Sequence, residues 1–229
     1  MSIREKPAAA ERRRLPIEPP SKIIAVGLNY HDHAAESKME VPTRPLLFAK
    51  WPNSLIGDGD EIRIPRESNE IDFEAELGVV IGEPPRSPVP VERALEFVAG
   101  YLCLNDVSAR DVQFADGQWT RGKSFDTFCP IGPSLVPAGK IPDPQVLRIR
   151  CLVNDVVMQD ATTADMIFSV AELIAYVSSS ITLERGDVIA TGTPPGVGFA
   201  RTPPIFLRDG DVVSVEIEGI GRLTNPVAA

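Results

Sequence analysis

Ile71–Gly82 reads IDFEAELGVVIG, and whether that run is a strand decides the fold. With a period of two, Phe73, Ala75, Leu77 and Val79 share one face, while Asp72, Glu74 and Glu76 share the other. The apolar face reads as buried. Three acids in a row have an ordinary explanation, since antiparallel strands commonly keep one wet face. The arrangement is still costly, because like charges two positions apart repel and Glu is a poor strand former. A hard cation between the carboxylates would give it a physical reason.

Outward from that run, short apolar segments recur between Gly, Pro and Asp turns. They include IIAVG, DGDEIRIP, GYLCLN, LRIRCLVN, GDVIATG and GDVVSVEIEG. Two stretches read as helices. PVERALEFVAG opens on Pro90, repeats apolar residues at Val91, Leu95 and Val98, and closes on Gly100. SVAELIAYVSS carries Ser169 and Glu172 in capping-box spacing. Strands and helices do not alternate regularly, which argues against a doubly wound or barrel α/β fold and for a mixed, β-rich α+β architecture.

The 229 residues, 43% of them hydrophobic, suffice for one large domain with a substantial core. Residues 1–20, rich in Pro, Ala and Arg, read as an amino-terminal arm, and 21–229 as the single domain. A formal net charge of -9 argues against nucleic-acid and anionic-membrane partners. No apolar run is long enough to span a bilayer, and the RRR near the start is followed by no apolar leader, so a cytoplasmic location is the default expectation. Cys103, Cys129 and Cys151 lack metal-type spacing and read as reduced core residues.

The chemistry-bearing residues fall in four further segments. GYLCLNDVSARD passes from a buried strand to polar residues, and Asp106 is the candidate to join Glu74 and Glu76 around one metal. Acids at a strand end also serve turns. All-oxygen ligation favours Mg²⁺ or Mn²⁺ over zinc. Three carboxylates and one dication leave a formal charge of -1, so an anionic substrate needs another cation; Lys123 in RGKSFDTF is the first candidate and Arg110 the second. His31 and His33, the two histidines, have no Cys or third His to complete a zinc set. His33 and Glu36 are three apart and share a face if a helical turn begins there, so that the carboxylate can orient an imidazole base. TGTPPGVG lacks the spacing of a nucleotide loop, but its backbone amides or Thr193 suit a carboxylate.

Together these segments resemble the fumarylacetoacetate hydrolase family, in its compact acylpyruvase and 2-hydroxymuconate isomerase-like branch. The resemblance runs from Lys22 to Val227 and includes VGLNYHDHAAE, LLFAK, DFEAELGVVIG, GYLCLNDVSARDVQ, GKSFDTFCPIGP, QDATTADMIFSV, GDVIATGTPPGVG and EIEGIGRL. It implies that the domain over 21–229 is catalytic and is a β-sandwich or β-roll, usually a homodimer. It also implies Glu74, Glu76 and Asp106 as Mg²⁺ or Mn²⁺ ligands, His33 and Glu36 as a catalytic dyad, and Lys123 as a substrate-facing cation. Arg110, Gln113 and Thr193 match positions around the substrate, and Asp72 is left outside the ligand set.

The activity expected first is metal-dependent hydrolysis of a carbon–carbon bond in an acylpyruvate or related 2,4-dioxo acid, a small anionic 2-oxo acid substrate. The alternatives use the same enolate chemistry without hydrolysis: isomerisation of 5-carboxymethyl-2-hydroxymuconate-type 2-oxo diacids, or decarboxylation of oxaloacetate. A non-catalytic metal-binding protein is the reading from outside enzymology.

Overall fold

The computed structural model describes residues 15–83 and 88–229. A seven-stranded sheet contains β1 (Ile23–Gly27), β2 (Leu46–Lys50), β3 (Leu55–Ile56), β6 (Ala75–Ile81), β7 (Val98–Asn105), β9 (Cys129–Pro137) and β12 (Val188–Ala190). A five-stranded sheet contains β4 (Ile62–Arg63), β10 (Arg148–Val153), β11 (Val156–Thr162), β13 (Val212–Ile217) and β14 (Gly221–Ala228). Separately, β5 (Ile71–Asp72) and β8 (Ser108–Ala109) form a two-stranded ribbon. The large sheet has the order β2-β1-β12-β6-β7-β9-β3, with parallel pairs at β1–β12 and β3–β9 and antiparallel pairs elsewhere. The two sheets pack face to face, with β6 and β7 against β10 and β13, as a curled, partly closed mixed α+β structure of the sandwich type expected.

The quoted run sits at the centre of this architecture. Phe73, Ala75, Leu77, Val79 and Ile81 enter the main core between the sheets. The opposite face of the large sheet is covered as well: Val80, Leu102, Leu104 and Val188 form a second cluster, against which Leu15 and Ile17 pack. Burial of both faces removes the wet-face explanation, for Asp72, Glu74 and Glu76 are all buried. It also explains why IIAVG and VIA are continuous apolar runs rather than alternating ones. Of the arm expected over 1–20, residues 1–14 lie outside the described residues.

Helices α1 (His31–Glu36), α2 (Arg110–Asp116) and α3 (Val170–Ser178) complete the regular structure with short 3₁₀ turns. The Ser169 and Glu172 capping box is formed, and Leu173, Ile174 and Val177 of α3 face the core. The helix expected over Pro90–Gly100 is instead a 3₁₀ helix over Val91–Phe97. The ladder of β7 with β6 pairs Val98 with Ile81 and Gly100 with Val80, which removes the last turn an α-helix would need. All three cysteines are free and buried, as expected.

Candidate functional site

The antiparallel register of β6 and β7 brings the acids together. Ala75 pairs with Asn105, so Glu74 and Asp106, one residue beyond each, meet across the ladder, and Asp106 N–H donates to the Glu74 carbonyl at 2.9 Å. One oxygen from each of Glu74, Glu76 and Asp106 lies within 4.8 Å of the others. Asp72 is turned elsewhere: it accepts from the N–H groups of Phe73, Gly198 and Phe199 and from Arg110 Nε at 2.9 Å.

Three buried cations face these acids. Lys123 Nζ donates to Glu74 Oε2 at 3.0 Å, Asp106 Oδ2 at 2.7 Å and Ser108 Oγ at 2.9 Å. Arg110, the first residue of α2, reaches Glu74 Oε1 at 2.6 Å and Gln113 Oε1 at 3.0 Å, one turn along the same helix. Lys50, at the end of β2, holds Asp106 Oδ1 at 2.6 Å and also donates to the carbonyls of Val107 and Lys123. Nothing in the sequence reading singled out Lys50. Its signal was a lysine ending the apolar run LLFA with no turn residue beside it.

The electrostatics divide the two glutamates. Burial would raise the Glu74 carboxyl, but the charges of Lys123 and Arg110 outweigh it and hold Glu74 at about 2. Glu76 touches no cationic side chain, and burial, then the carboxylates of Asp106 and Glu74, push it well above the usual range. Its protein donor is the Gly192 N–H at 2.8 Å. Burial lowers the Lys123 ammonium, yet Asp106 and Glu74 raise it further, so it stays charged.

The dyad closes the other side. His33 and Glu36 lie on α1, with His33 Nδ1 3.4 Å from Glu36 Oε2, while His31 is exposed. The Gly196 N–H reaches both Glu36 oxygens at 3.0–3.1 Å. Gly196 has φ +102°, and a Cβ there would collide with the Met158 carbonyl oxygen, so glycine is required for that amide to be presented. TGTPPGVG therefore does bind carboxylates, but they are the protein's own: Glu76, Glu36 and Asp72 each take an amide from it. The Thr193 hydroxyl donates to the Ala75 carbonyl and accepts from Gln159 Nε2, a buried residue that the sequence reading also passed over.

A cavity of about 240 Å³ opens onto this assembly, lined by His33, Glu74, Arg110, Gln113, Lys123 and Thr193 together with apolar side chains. Six of the nine sequence candidates thus line this cavity; Glu36, Glu76 and Asp106 do not, but Glu36 contacts His33, Asp106 contacts Lys123, and Glu76 clusters with Glu74. The residues fit a hard dication. The donors are all oxygen; among the described residues Glu76 makes no direct ion pair, and burial and its carboxylate neighbours leave it in need of a cation. The buried Tyr30 hydroxyl lacks a hydrogen-bond partner while Glu76 acts on it electrostatically. Four buried carboxylates (Asp72, Glu74, Glu76, Asp106) against three cations (Lys50, Lys123, Arg110) leave a formal charge of -1.

A family model described as Fumarylacetoacetate (FAA) hydrolase C-terminal matches residues 22–228. Mitochondrial oxaloacetate tautomerase fahd2 of Xenopus laevis is 50% identical over 214 residues, covering 93% of this chain and 67% of its own length. Mitochondrial oxaloacetate tautomerase FAHD2A of Homo sapiens is 46% identical over 214 residues, covering 93% and 68%. The crystal structure of 5-carboxymethyl-2-hydroxymuconate delta-isomerase from Mycobacterium smegmatis superposes with a TM-score of 0.82 at 46% identity, covering 93% of this chain and 80% of that one.

Two expectations are corrected by these relatives. Carbon–carbon hydrolysis gives way to isomerisation, the reaction in all three names. Both chemistries call for residues that stabilise an enolate, so residue types alone do not choose between them. The cytoplasmic default is likewise set aside, since both vertebrate proteins are mitochondrial by name. Among the described residues, no helix is long and apolar enough to cross a membrane.

Proposed function

The chain belongs to the fumarylacetoacetate hydrolase family, and from that premise we propose that it is an isomerase of a small 2-oxo acid. It moves a proton between the C2 oxygen and C3, interconverting enol and keto forms with no carbon–carbon bond broken. The observation that carries this reading is the convergence of His33, held by Glu36, and the Lys123 ammonium on one cavity that Glu74 of the acid cluster also lines.

Tautomerisation needs a proton carrier, a seat for negative charge on the enolate oxygen, and shelter from bulk water. His33 is the carrier. Its Nδ1 is held by Glu36, which leaves Nε2 to take the C3 proton of the keto form and deliver it to the C2 oxygen, or to carry the enol proton the other way. Glu36 can orient the imidazole because it stays ionised: burial opposes its charge, but the hydrogen bonds from His33 and Gly196 outweigh burial and hold it below the usual range. Glu74, Glu76 and Asp106 would hold a divalent cation, Mg²⁺ or Mn²⁺ by the hardness of the donors. Such an ion, when bound, supplies Lewis acidity at the C2 oxygen. Both Asp106 oxygens are already engaged, by Lys50 and Lys123, and of the two only Lys123 lines the cavity. Lys123 is therefore the ammonium that shifts from the acids to the substrate carboxylate, with Arg110 held behind it by Asp72 and Glu74.

The homodimer implied by the family resemblance belongs to the same proposal. It is supported by β2, an edge strand with Leu46 exposed and Trp51 exposed just beyond it, and sedimentation of the purified protein reads it directly. For the reaction, Mg²⁺-loaded protein is given oxaloacetate as its enol and the loss of enol absorbance is followed. The wild type accelerates the decay, and His33→Ala lowers kcat by roughly 10²–10⁴. A wild type that leaves unchanged the decay of oxaloacetate and of a second 2-oxo acid enol sinks the reading; an unimpaired His33→Ala variant removes His33 as carrier.

A further inference from the structure

The cavity is larger and more apolar than a four-carbon diacid needs. Four of its polar lining residues, Lys123, Glu74, Arg110 and Gln113, form one patch joined by hydrogen bonds. Its lining also carries two edge-to-face aromatic pairs, Phe48–Trp119 with centroids 5.4 Å apart and Phe114–Phe199 at 5.6 Å. One pair adjoins each cation: Lys123 Nζ is 5.1 Å from the Phe48 ring and Arg110 Cζ is 4.4 Å from the Phe199 ring. Each cation is thus bounded by carboxylates on one side and a ring on another, and the outer rings of the pairs, Trp119 and Phe114, extend the wall away from the charge.

From this arrangement we infer that the aromatic part of the cavity is a subsite for a flat, apolar substituent on C3 of the 2-oxo acid. The preferred substrates are then monocarboxylates with a planar conjugated or aryl tail. The inference rests on the isomerase reading above and names its substrate class.

Charge and shape both favour such a tail. Among the described residues, Lys123 and Arg110 are the lysine and arginine side chains in the cavity lining, and both already face carboxylates. The carboxylate of the 2-oxo acid head would occupy that patch. A second carboxylate on an extended chain would lose its water against Phe48, Trp119, Phe114 and Phe199, whose ring faces carry negative quadrupole, with no further lysine or arginine among the described lining residues to receive it. A planar apolar group meets the same rings in the offset and edge-to-face geometries they favour. The wall is also built rather than incidental. Trp119 rests on the backbone of Gly27, where an added Cβ would stand 2.5 Å from Cζ3, so strand β1 is shaped to seat the indole.

The test uses Mg²⁺-loaded protein with phenylpyruvate and oxaloacetate, each added as its enol and followed by loss of enol absorbance. The expected result is a kcat/KM for phenylpyruvate at least equal to that for oxaloacetate. The ratio of the two should fall tenfold or more in Trp119→Ala and in Phe114→Ala. Phe114 is 58% exposed, so its variant stays folded if Trp119→Ala does not. A wild-type ratio below one, or a ratio unmoved in Phe114→Ala and in folded Trp119→Ala, overturns the subsite while leaving the isomerase intact. Failure to turn over either enol overturns the isomerase reading itself.

Discussion

Replacing Lys50 by Met probes the buried ion cluster without changing the volume of the side chain much. Lys50 is 1% exposed, and its ammonium is 2.6 Å from Asp106 Oδ1 and 3.2 Å from the Val107 carbonyl. Removing it leaves one Asp106 oxygen buried with no donor, and breaking a buried pair from one side costs about 3–5 kcal/mol. At about 2–4 °C per kcal/mol for a chain of this size, Tm should fall by roughly 10 °C, within a span of about 6–20 °C. The charge count adds a second signature. Four carboxylates against three cations give -1 in the wild type, and loss of Lys50 makes the cluster -2. A dication therefore stabilises the variant more than the wild type. Scanning calorimetry of both proteins, in chelator and in Mg²⁺, measures both effects. A Tm drop smaller than about 2 °C, or an equal rise on adding metal, would refute the reasoning.

Other expectations follow from single contacts. Glu74→Gln and Glu76→Gln should each weaken Mn²⁺ binding by at least tenfold in calorimetric titration; unchanged affinity removes the proposed centre. Burial pushes the Cys103 and Cys129 thiols up to about 12 and raises Cys151 as well, so at pH 8 a thiol reagent should label none of the three until the protein is unfolded. The Glu36 carboxyl is held below its ordinary value in the folded state, with burial opposed by His33 and Gly196. Its stabilising contribution is then complete above the unfolded pKa and is lost as pH falls through the folded one. Chemical denaturation between about pH 5 and 3 should show a steeper loss of stability for the wild type than for Glu36→Gln, and parallel curves would contradict that assignment.

Much of the fold was legible because the run at 71–81 wears its core face openly: Phe73, Ala75, Leu77 and Val79 alternate as period two requires, and all enter the main core. The expected single strand is nevertheless broken at Phe73 and Glu74 into β5 and β6, where Asp72 leaves to pair in the small ribbon. The fate of the other face was not legible. Whether Glu74 and Glu76 meet water depends on strands far along the chain and on Leu15 and Ile17, none of which leaves a mark on the run itself. The acid trio was found because two members share a strand face and the third ends a neighbouring apolar run. Lys50 was passed over because a strand-end lysine ordinarily points to solvent, and only the approach of Asp106 and the Lys123 carbonyl makes it a buried one. TGTPPGVG was read as an amide-rich loop for a carboxylate, which was sound chemistry, but its partners Glu36, Asp72 and Glu76 lie more than a hundred residues earlier. The choice between hydrolysis and isomerisation had no local signal, since both pass through an enolate that the same residue types can stabilise.

The most direct test of the central claim is proton NMR and mass spectrometry of oxaloacetate turned over by the Mg²⁺-loaded protein in D₂O. The account predicts accelerated deuterium entry at C3 with every carbon retained, and loss of that acceleration in His33→Ala. Enzyme-dependent release of pyruvate, or of any shorter acid, with no faster exchange at C3 would contradict it.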